Sequence, residues 1–543
     1  MVGADGGAPS SQQDRGAPSG VWSFSRRFPA SRGFSAASSY EPTADAPQAD
    51  IWVEYIQLEL GLNDFVAAEA LFGKCLKDVL NPKLWTVYLD YIRRRNDLSD
   101  SSGQARLTVT QSYEFVLDHI GLDKESGRIW QEYIQFINVG PGIIGGSSWQ
   151  DQQKMDQLRK AYQRAICVPI SNINVLWKEY DQFEMGLNKM TARKFLAERS
   201  PAYMSAKGAN TALDNLTRGL HRSNLPRLPP IPGFEGDLEY AEQVELWKKW
   251  IAWEKSDPLD LRPDEPELLK KRILYCYRQA LMALRFWPEI WVDAAAWCFE
   301  NDITEDSKEK GLDFLLRGIE ANPESILLAL KHADRIELTH PVGEGDEAKA
   351  ARAAAVRAPH DKILDTLYEL SRGLKEKEKA DIARLEESLA AAEAEKAADD
   401  DDDETAAQER AAAARKLKDE RIALLRHGIS AQVDLLSKSL TYVWIALARA
   451  MRRIQGKGDP KSGGLRRIFG DARARGKLGS EIYIAIAKME WKCYNDKAAG
   501  KIFDRGAKLF PEDPHYMIEF IEYLVAHHDT TSKSAEMSYR HVR

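Results

Sequence analysis

The segment "LWKEYDQFE", Leu176–Glu184, contains aromatic residues that recur at the same spacing elsewhere in the chain. Counting Trp177 as position zero, Tyr180 lies at plus three, Phe183 at plus six and Glu184 at plus seven. Positions zero, three, four and seven share one face of an α-helix. The segment therefore predicts a helix whose aromatic stripe faces a neighbouring element.

The same template begins again at residues 52, 85, 130, 247, 291 and 483, the last time with Tyr in place of Trp. The intervals from Trp to Trp are 33, 45, 47, 70 and 44 residues, which is typical of a repeat array. Aromatic rings can also stack on single-stranded RNA, but on this stripe we expect them to be buried. The predicted repeat-core residues are Trp52, Tyr55, Trp85, Tyr88, Trp130, Tyr133, Trp177, Tyr180, Trp247, Trp250, Trp291 and Tyr483.

A second helical pattern follows most of these segments, and "RKAYQRAI", Arg159–Ile166, is an example. It carries a small residue that lets a neighbouring helix approach closely, in turn Cys75, Ala165, Ala280, Gly318 and Gly506. Each unit is therefore a helical hairpin that must stack on copies of itself to bury its stripe. The sequence predicts an all-α solenoid of helical-hairpin repeats in two blocks.

Composition limits the possible functions. The 543 residues are 44% hydrophobic and 29% charged with a net charge of −7, which argues against a surface generally adapted to nucleic acid. No apolar run reaches the roughly 18–20 residues that cross a membrane. The five cysteines form no CxxC pair, and we expect reduced thiols. No catalytic, metal or cofactor site stands out; the recurring Glu at plus seven is interpreted as a structural hydrogen bond between helices. We predict a protein that is not an enzyme.

Three segments carry a more specific resemblance. The repeats resemble half-a-TPR (HAT) repeats, and Leu176–Lys207, the loop "LPRLPPIPGF" and Gln243–Leu261 resemble the suppressor-of-forked family, the large HAT subunit of cleavage stimulation factor and of fungal cleavage factor IA. The resemblance covers residue 51 to the end. It implies a nuclear, non-catalytic scaffold for cleavage and polyadenylation of pre-mRNA 3′ ends. A HAT-repeat protein of splicing or ribosomal RNA maturation, which would bind RNA directly, is the alternative.

The resemblance also implies partners. They are a second copy of the chain, other cleavage and polyadenylation factors, and an RRM-bearing RNA-binding subunit held through a C-terminal segment. We see no such segment before Arg543, so we expect the chain to be truncated and that contact to be missing. Direct contact with pre-mRNA stays open.

Changes of composition suggest the domain organisation. Residues 1–48 are rich in Ser, Ala, Gly and Pro and are predicted to form a disordered tail, although their Arg/Ser bias is also typical of a mitochondrial presequence. Residues 49–236 and 237–543 are the N-terminal and C-terminal repeat domains. An acidic, partly disordered insertion is predicted around 341–415, with the weakest order at 390–408. Its run Asp399–Glu404 is either a solvated segment or an acidic docking element.

A basic stretch, residues 447–477, has ten Lys or Arg against two Asp in an otherwise acidic chain. These cations either form ion pairs and a solvated face, or they contact RNA phosphate or an acidic partner. The candidate binding residues are Arg449, Arg452, Arg453, Arg466, Arg467, Arg473 and Arg475.

The C-terminal helices, 481–494 and 515–528, are more apolar than one buried stripe requires. Together with the dimer that the resemblance implies, this predicts a two-fold interface within residues 430–543. The alternative is that truncation exposes a surface normally covered by later residues. The candidate interface residues are Ile482, Ile486, Met517, Phe520, Ile521 and Leu524.

Overall fold

A computed structural model describes residues 49–99, 103–222, 226–343, 345–397, 404–459 and 463–527. The predicted tail, 1–48, lies outside these ranges. So does the acidic run Asp399–Asp403, and the expectation of weak order around it stays a prediction.

The first compact unit ends at Ala294 and is helical in its described part. A short 3-10 turn, Lys124–Ser126, precedes α5, and α11 contains the unit boundary. The helices are α1 (Ala49–Gly61), α2 (Phe65–Cys75), α3 (Pro82–Arg95), α4 (Gln104–Ile120), α5 (Gly127–Asn138), α6 (Trp149–Ala165), α7 (Ile173–Leu187), α8 (Lys189–Leu216), α9 (Asp237–Lys255), α10 (Pro266–Ala283) and α11 (Pro288–Glu300).

The second unit begins at Ala295. Its strands β1 (Thr304–Glu305) and β2 (Lys308–Glu309) form a short antiparallel hairpin that pairs Thr304 with Glu309. Its further helices are α12 (Lys310–Ala321), α13 (Ile326–Thr339), α14 (Asp346–Ala397), α15 (Glu404–Gln455), α16 (Gly464–Arg475), α17 (Ser480–Tyr494), α18 (Ala498–Leu509) and α19 (Pro514–Ala526).

Local capping residues set the helix boundaries. Pro82 occupies the first turn of α3, where its missing N–H costs nothing, and the Asn81 side chain accepts from Lys83 N at 3.0 Å. At α6, Ser148 and Asp151 form a reciprocal capping box. These contacts satisfy N–H groups that would otherwise lack a partner at the helix start.

Aromatic pairs define how successive repeats stack. The tyrosine at plus three packs on an aromatic ring in the second helix of the preceding repeat. The ring centroids lie 5.3 and 5.8 Å apart in the pairs Tyr133–Tyr113 and Tyr180–Tyr162. In the second unit the ring at position zero makes the equivalent contact, because Tyr483 lies 5.3 Å from Phe469. Each repeat thus inserts its aromatic stripe into its neighbour, as a repeat array requires.

Helix α10 packs back onto the early repeats of the first unit. Tyr275 donates a hydrogen bond to Asp123 at 2.5 Å, and Gln279 donates to the carbonyl of Leu80 at 2.5 Å. Burial raises the pKa of the Asp123 carboxyl, but its ion pair with Arg222 outweighs burial and holds that pKa below its usual value. This buried network explains why the unit boundary at Ala294 lies beyond residue 236. The division into repeat domains 49–236 and 237–543 stays a prediction.

The predicted insertion, around 341–415, coincides with α14 and the first turns of α15, two greatly lengthened helices that pack on each other. Helices α14 and α15 are 52 residues each, and their inner turns join the hydrophobic core through Ile363, Leu367 and Leu440. Farther out the two helices still pair, because Lys418 lies 3.5 Å from Glu386. The aromatic repeat pattern is absent from this part of the sequence because the outer turns of α14 and α15 pack on each other and not on a neighbouring repeat.

Candidate interaction surfaces

Most predicted repeat-core residues lie in the core of their units. Trp177 and Tyr88 are half-buried, and the Trp177 ring stacks on the Tyr203 ring with their centroids 4.3 Å apart. Tyr55 departs from the pattern: it is 39% exposed, because no described helix precedes α1 to receive its ring. The buried members are Trp52, Trp85, Trp130, Tyr133, Tyr180, Trp247, Trp250, Trp291 and Tyr483.

The tryptophan at position zero has a polar role as well as an apolar one. The indole N–H of Trp130 donates to the carbonyl of Gly121 at 2.9 Å, and that of Trp85 donates to Val79 at 3.0 Å. Gly121 is the C-cap of α4, where backbone acceptors lack helical partners, and Val79 lies in the loop between α2 and α3. The tryptophan therefore binds the backbone that follows one helix while it packs on another, and only an indole at this position combines the two contacts.

The glutamate at plus seven forms an inter-helix ion pair. Glu184 accepts from Arg159 at 2.6 and 3.2 Å, and Glu490 accepts from Arg466 at 2.8 and 3.1 Å. Both carboxylates are almost fully buried. Hydrogen bonding to the glutamate raises the pKa of each guanidinium, so the charged form is favoured. These carboxylates serve the structure of the repeats.

Ion pairs occupy part of the predicted basic patch. Arg453 pairs with Glu337 at 2.6 Å, Arg466 with Glu490 at 2.8 Å, and Arg475 with Asp365 at 2.7 Å. These pairs neutralise three of the seven candidate arginines.

The other candidates are arranged differently. Arg452 is half-buried, with its guanidinium 3.6 Å from the Cys493 sulfur, and Arg473 lies over the Phe469 ring at 4.7 Å. Arg449 and Arg467 are exposed. The structure therefore does not gather the seven arginines into one charged surface.

A row of cations on α14 was not predicted from the sequence. Arg372, Lys375 and Lys379 are exposed and lie three and four residues apart, so they share one helix face. They meet Arg475 and Lys477 in one open groove. The spacing was visible in the sequence, but the acidic residues around it hid the signal.

The predicted dimer surface is only partly accessible. Ile482, Ile486 and Phe520 are buried in the core of their own unit, because α17 and α19 pack around Phe503. Met517, Ile521 and Leu524 are half-buried. The exposed apolar side chains of α18 and α19 are instead Leu509, Ile518 and Val525.

An apolar loop between α5 and α6 was also missed. Ile143 in this loop is 73% exposed, and Trp149, the first residue of α6, is 76% exposed. The loop backbone is nevertheless fixed, because Lys154 donates to the carbonyls of Gly140 and Gly142 at 2.9 Å each. An exposed Trp beside a fixed loop is typical of a contact surface for another macromolecule.

The described residues hold no group of three or more His, Cys, Asp or Glu side chains placed to bind a metal ion. Within those same ranges, every helix is too short or too polar to span a bilayer. The five cysteines form no disulfide with one another.

Comparison with known sequences gives one consistent result. A model of the family described as "Suppressor of forked protein" matches residues 40–535. The chain is 63% identical over 498 residues to mRNA 3'-end-processing protein rna-14 of Neurospora crassa, covering 90% of this chain and 42% of that protein. It is 59% identical to RNA14 of Gibberella zeae, covering 90% and 48% respectively. The chain thus spans about half the length of these curated relatives.

Comparison with solved structures supports the fold alone. The crystal structure of CSTF-77 superposes with a TM-score of 0.51 at 18% sequence identity, covering 91% of this chain and 80% of that one. The predicted all-α helical-repeat fold is confirmed.

Proposed function

The chain belongs to the suppressor of forked protein family, and from that premise we propose that it is a non-catalytic scaffold subunit of the nuclear machinery that cleaves and polyadenylates pre-mRNA 3′ ends. The observation that carries the proposal is its 63% identity over 498 residues to a protein named for mRNA 3'-end processing. Stacked helical hairpins with exposed loops suit this role, because such arrays present extended binding surfaces.

Affinity purification tests the scaffold role. The tagged 543-residue chain is incubated with fungal nuclear extract, treated with ribonuclease, and its bound proteins are identified by mass spectrometry. We expect cleavage and polyadenylation factors to remain bound, since a scaffold holds them by protein contacts. Recovery of splicing or ribosomal RNA maturation factors in their place would support the alternative class of HAT-repeat protein.

We further propose that the scaffold is a homodimer through α17–α19. The support is the exposure of Leu509, Ile518 and Val525 on adjacent helices, flanked by the half-buried Met517 and Ile521. A two-fold contact would bury the same apolar side chains on both copies. Ile482, Ile486 and Phe520 are buried in the core of the same unit and would affect this interface only through the packing of α17 and α19.

Light scattering on the whole chain tests the dimer. We expect twice the chain mass at micromolar concentration, and the mass of one chain for Ile518→Glu. The control is Leu58→Glu, which changes a leucine that is 59% exposed on α1 and should leave the dimer intact. A wild-type chain that stays monomeric, or equal effects of both substitutions, would contradict the proposed interface.

A further inference from the structure

The groove between α14 and the loop after α16 gathers an excess of positive charge. Arg372, Lys375 and Lys379 line it from α14, Arg475 lines it from the end of α16, and Lys477 lines it from the loop. Asp365, Glu369 and Glu376 of α14 line the same groove, so five cations face three carboxylates. The groove is open to solvent, and it is distinct from the apolar surface of α18 and α19.

The loop after α16 holds Lys477 in a backbone conformation that is unfavourable for residues other than glycine. Lys477 has φ +56°, in the left-handed region that favours glycine, and it follows Gly476 at φ +74°. Such backbone costs a non-glycine residue on the order of 1 kcal/mol and persists only where other contacts impose it. Here Lys477 Nζ donates to Ser371 Oγ at 2.7 Å, and the Tyr368 hydroxyl donates to the Gly476 carbonyl at 2.9 Å. Together these contacts fix the lysine over the groove.

The charges in the groove are not balanced. Arg475 pairs with Asp365 at 2.7 Å, and Arg372 lies 3.8 Å from Glu369. Among the described residues, Lys375, Lys379 and Lys477 have no carboxylate within ion-pair distance. Burial lowers the pKa of Lys477, and the nearby Lys375 and Arg372 lower it further. An anion bound in the groove would relieve this repulsion.

We propose that this groove binds the backbone phosphates of single-stranded RNA. Cations three and four residues apart on a helix have Cβ atoms about 5–6 Å apart, which suits successive phosphates along an extended strand. The contacts involve charge and not base edges, so binding is independent of sequence. The choice of RNA rests on the proposed function, because the substrate of 3′-end processing is an RNA.

Fluorescence anisotropy with a labelled 15-nucleotide oligouridine tests the inference on the 543-residue chain between 50 and 200 mM KCl. The test variant is Lys375→Gln/Lys379→Gln/Lys477→Gln. Each phosphate contact on a single strand contributes about 0.7 to the slope of log affinity against log salt, so we expect the slope to fall by about 2 and the affinity by roughly tenfold at 100 mM.

The matched control removes three other exposed cations from the neighbouring helix α15, as Arg415→Gln/Lys416→Gln/Arg421→Gln. We expect it to retain most of the affinity. If the first triple variant fails to fold, Lys379→Gln alone should lower the slope by about 0.7, and Lys477→Arg should keep the wild-type slope.

Two outcomes would overturn the proposal. Equal losses in both triple variants would mean that the RNA senses only the overall charge. Displacement of the RNA by an equal concentration of a polyglutamate 15-mer would instead assign the groove to an acidic protein segment. Neither outcome bears on the scaffold role, which is measured by factors retained after ribonuclease treatment.

Discussion

Arg159 and Glu184 join neighbouring helices of the first unit through two hydrogen bonds, at 2.6 and 3.2 Å, and the carboxylate is almost fully buried. Arg466 and Glu490 repeat this arrangement in the second unit. In both pairs the arginine lies three residues before the aromatic ring that receives the next repeat. The arginine and the receiving ring therefore keep one spacing on their helix, although the ring received is Tyr180 at plus three in the first unit and Tyr483 at position zero in the second.

Glu184→Gln should destabilise the chain, because it leaves the Arg159 guanidinium without its buried counter-charge. We expect a loss of about 2–3 kcal/mol in the free energy of unfolding, less than for a fully buried pair because Arg159 is partly exposed. Urea unfolding measures it. The exposed Glu198→Gln on α8 is the control, with an expected change below about 0.5 kcal/mol. Equal changes in the two variants would show that the pair is dispensable.

Trp130→Phe keeps an aromatic ring but removes the donor to the Gly121 carbonyl. The buried Gly121 carbonyl then keeps only the hydrogen bond from the Ser126 hydroxyl, at 3.0 Å, and we expect a loss of about 0.5–1.5 kcal/mol in the free energy of unfolding. Trp149→Phe, at a residue that is 76% exposed, is the matched control and should be nearly neutral. The measurement is thermal unfolding followed by circular dichroism. The capping role would be refuted by a Trp130→Phe variant as stable as the wild type.

Gly506→Ala should loosen the contact between α18 and α19. A Cβ at position 506 would lie 2.0 Å from the Tyr516 hydroxyl oxygen and 2.4 Å from its ring, so one of the helices must shift. Overpacking of this kind costs about 1–3 kcal/mol. Gly470→Ala on α16 meets no atom within 4 Å and should instead stabilise the chain by up to about 1 kcal/mol. Changes of the same sign in both variants would contradict this account.

His360 should make stability depend on pH. Burial lowers its pKa below the usual value of about 6.5, although Asp334, Asp361 and Glu337 act in the opposite direction. As pH falls below about 6.5 the unfolded chain takes up the proton first, so stability present at higher pH is lost. We expect His360→Gln to flatten the decline of the urea midpoint between pH 7.5 and 5.5.

The exposed His427→Gln on α15 is the control for His360 and should leave the decline unchanged. Some dependence should persist in His360→Gln, because burial and Lys362 lower the pKa of His332 too. A slope that is identical in wild type and His360→Gln would rule out His360 as its source.

The sequence predicts the stripe of each helix but not every partner of that stripe. Spacing placed Tyr133, Tyr180 and Glu184 on inner faces because helical geometry depends only on position along the chain. It could not show that Tyr55 has no described helix before it. It could not show that α10 packs on Leu80 either. The apolar face of a helix can be recognised from spacing, but spacing does not identify a packing partner that is distant in sequence.

The candidate surfaces were harder to predict for a related reason. Charge counting found the stretch 447–477, yet Arg453 and Arg475 are paired with Glu337 and Asp365 from other helices. The uncompensated cations come from two segments about 100 residues apart, Lys375 and Lys477, which only the fold brings together. Composition within one window therefore does not show where net charge remains after pairing.

The return of α10 onto the early repeats also has a kinetic consequence. Arg159 and Glu184, which form an ion pair, are 25 residues apart along the chain, whereas Gln279 and Leu80, which form a hydrogen bond, are 199 residues apart. Contacts between near neighbours form quickly, and contacts across long chain separations form slowly because more loop entropy is lost first. We therefore expect the hairpins of the first unit to assemble early and α10 to dock last, so that docking sets the folding rate.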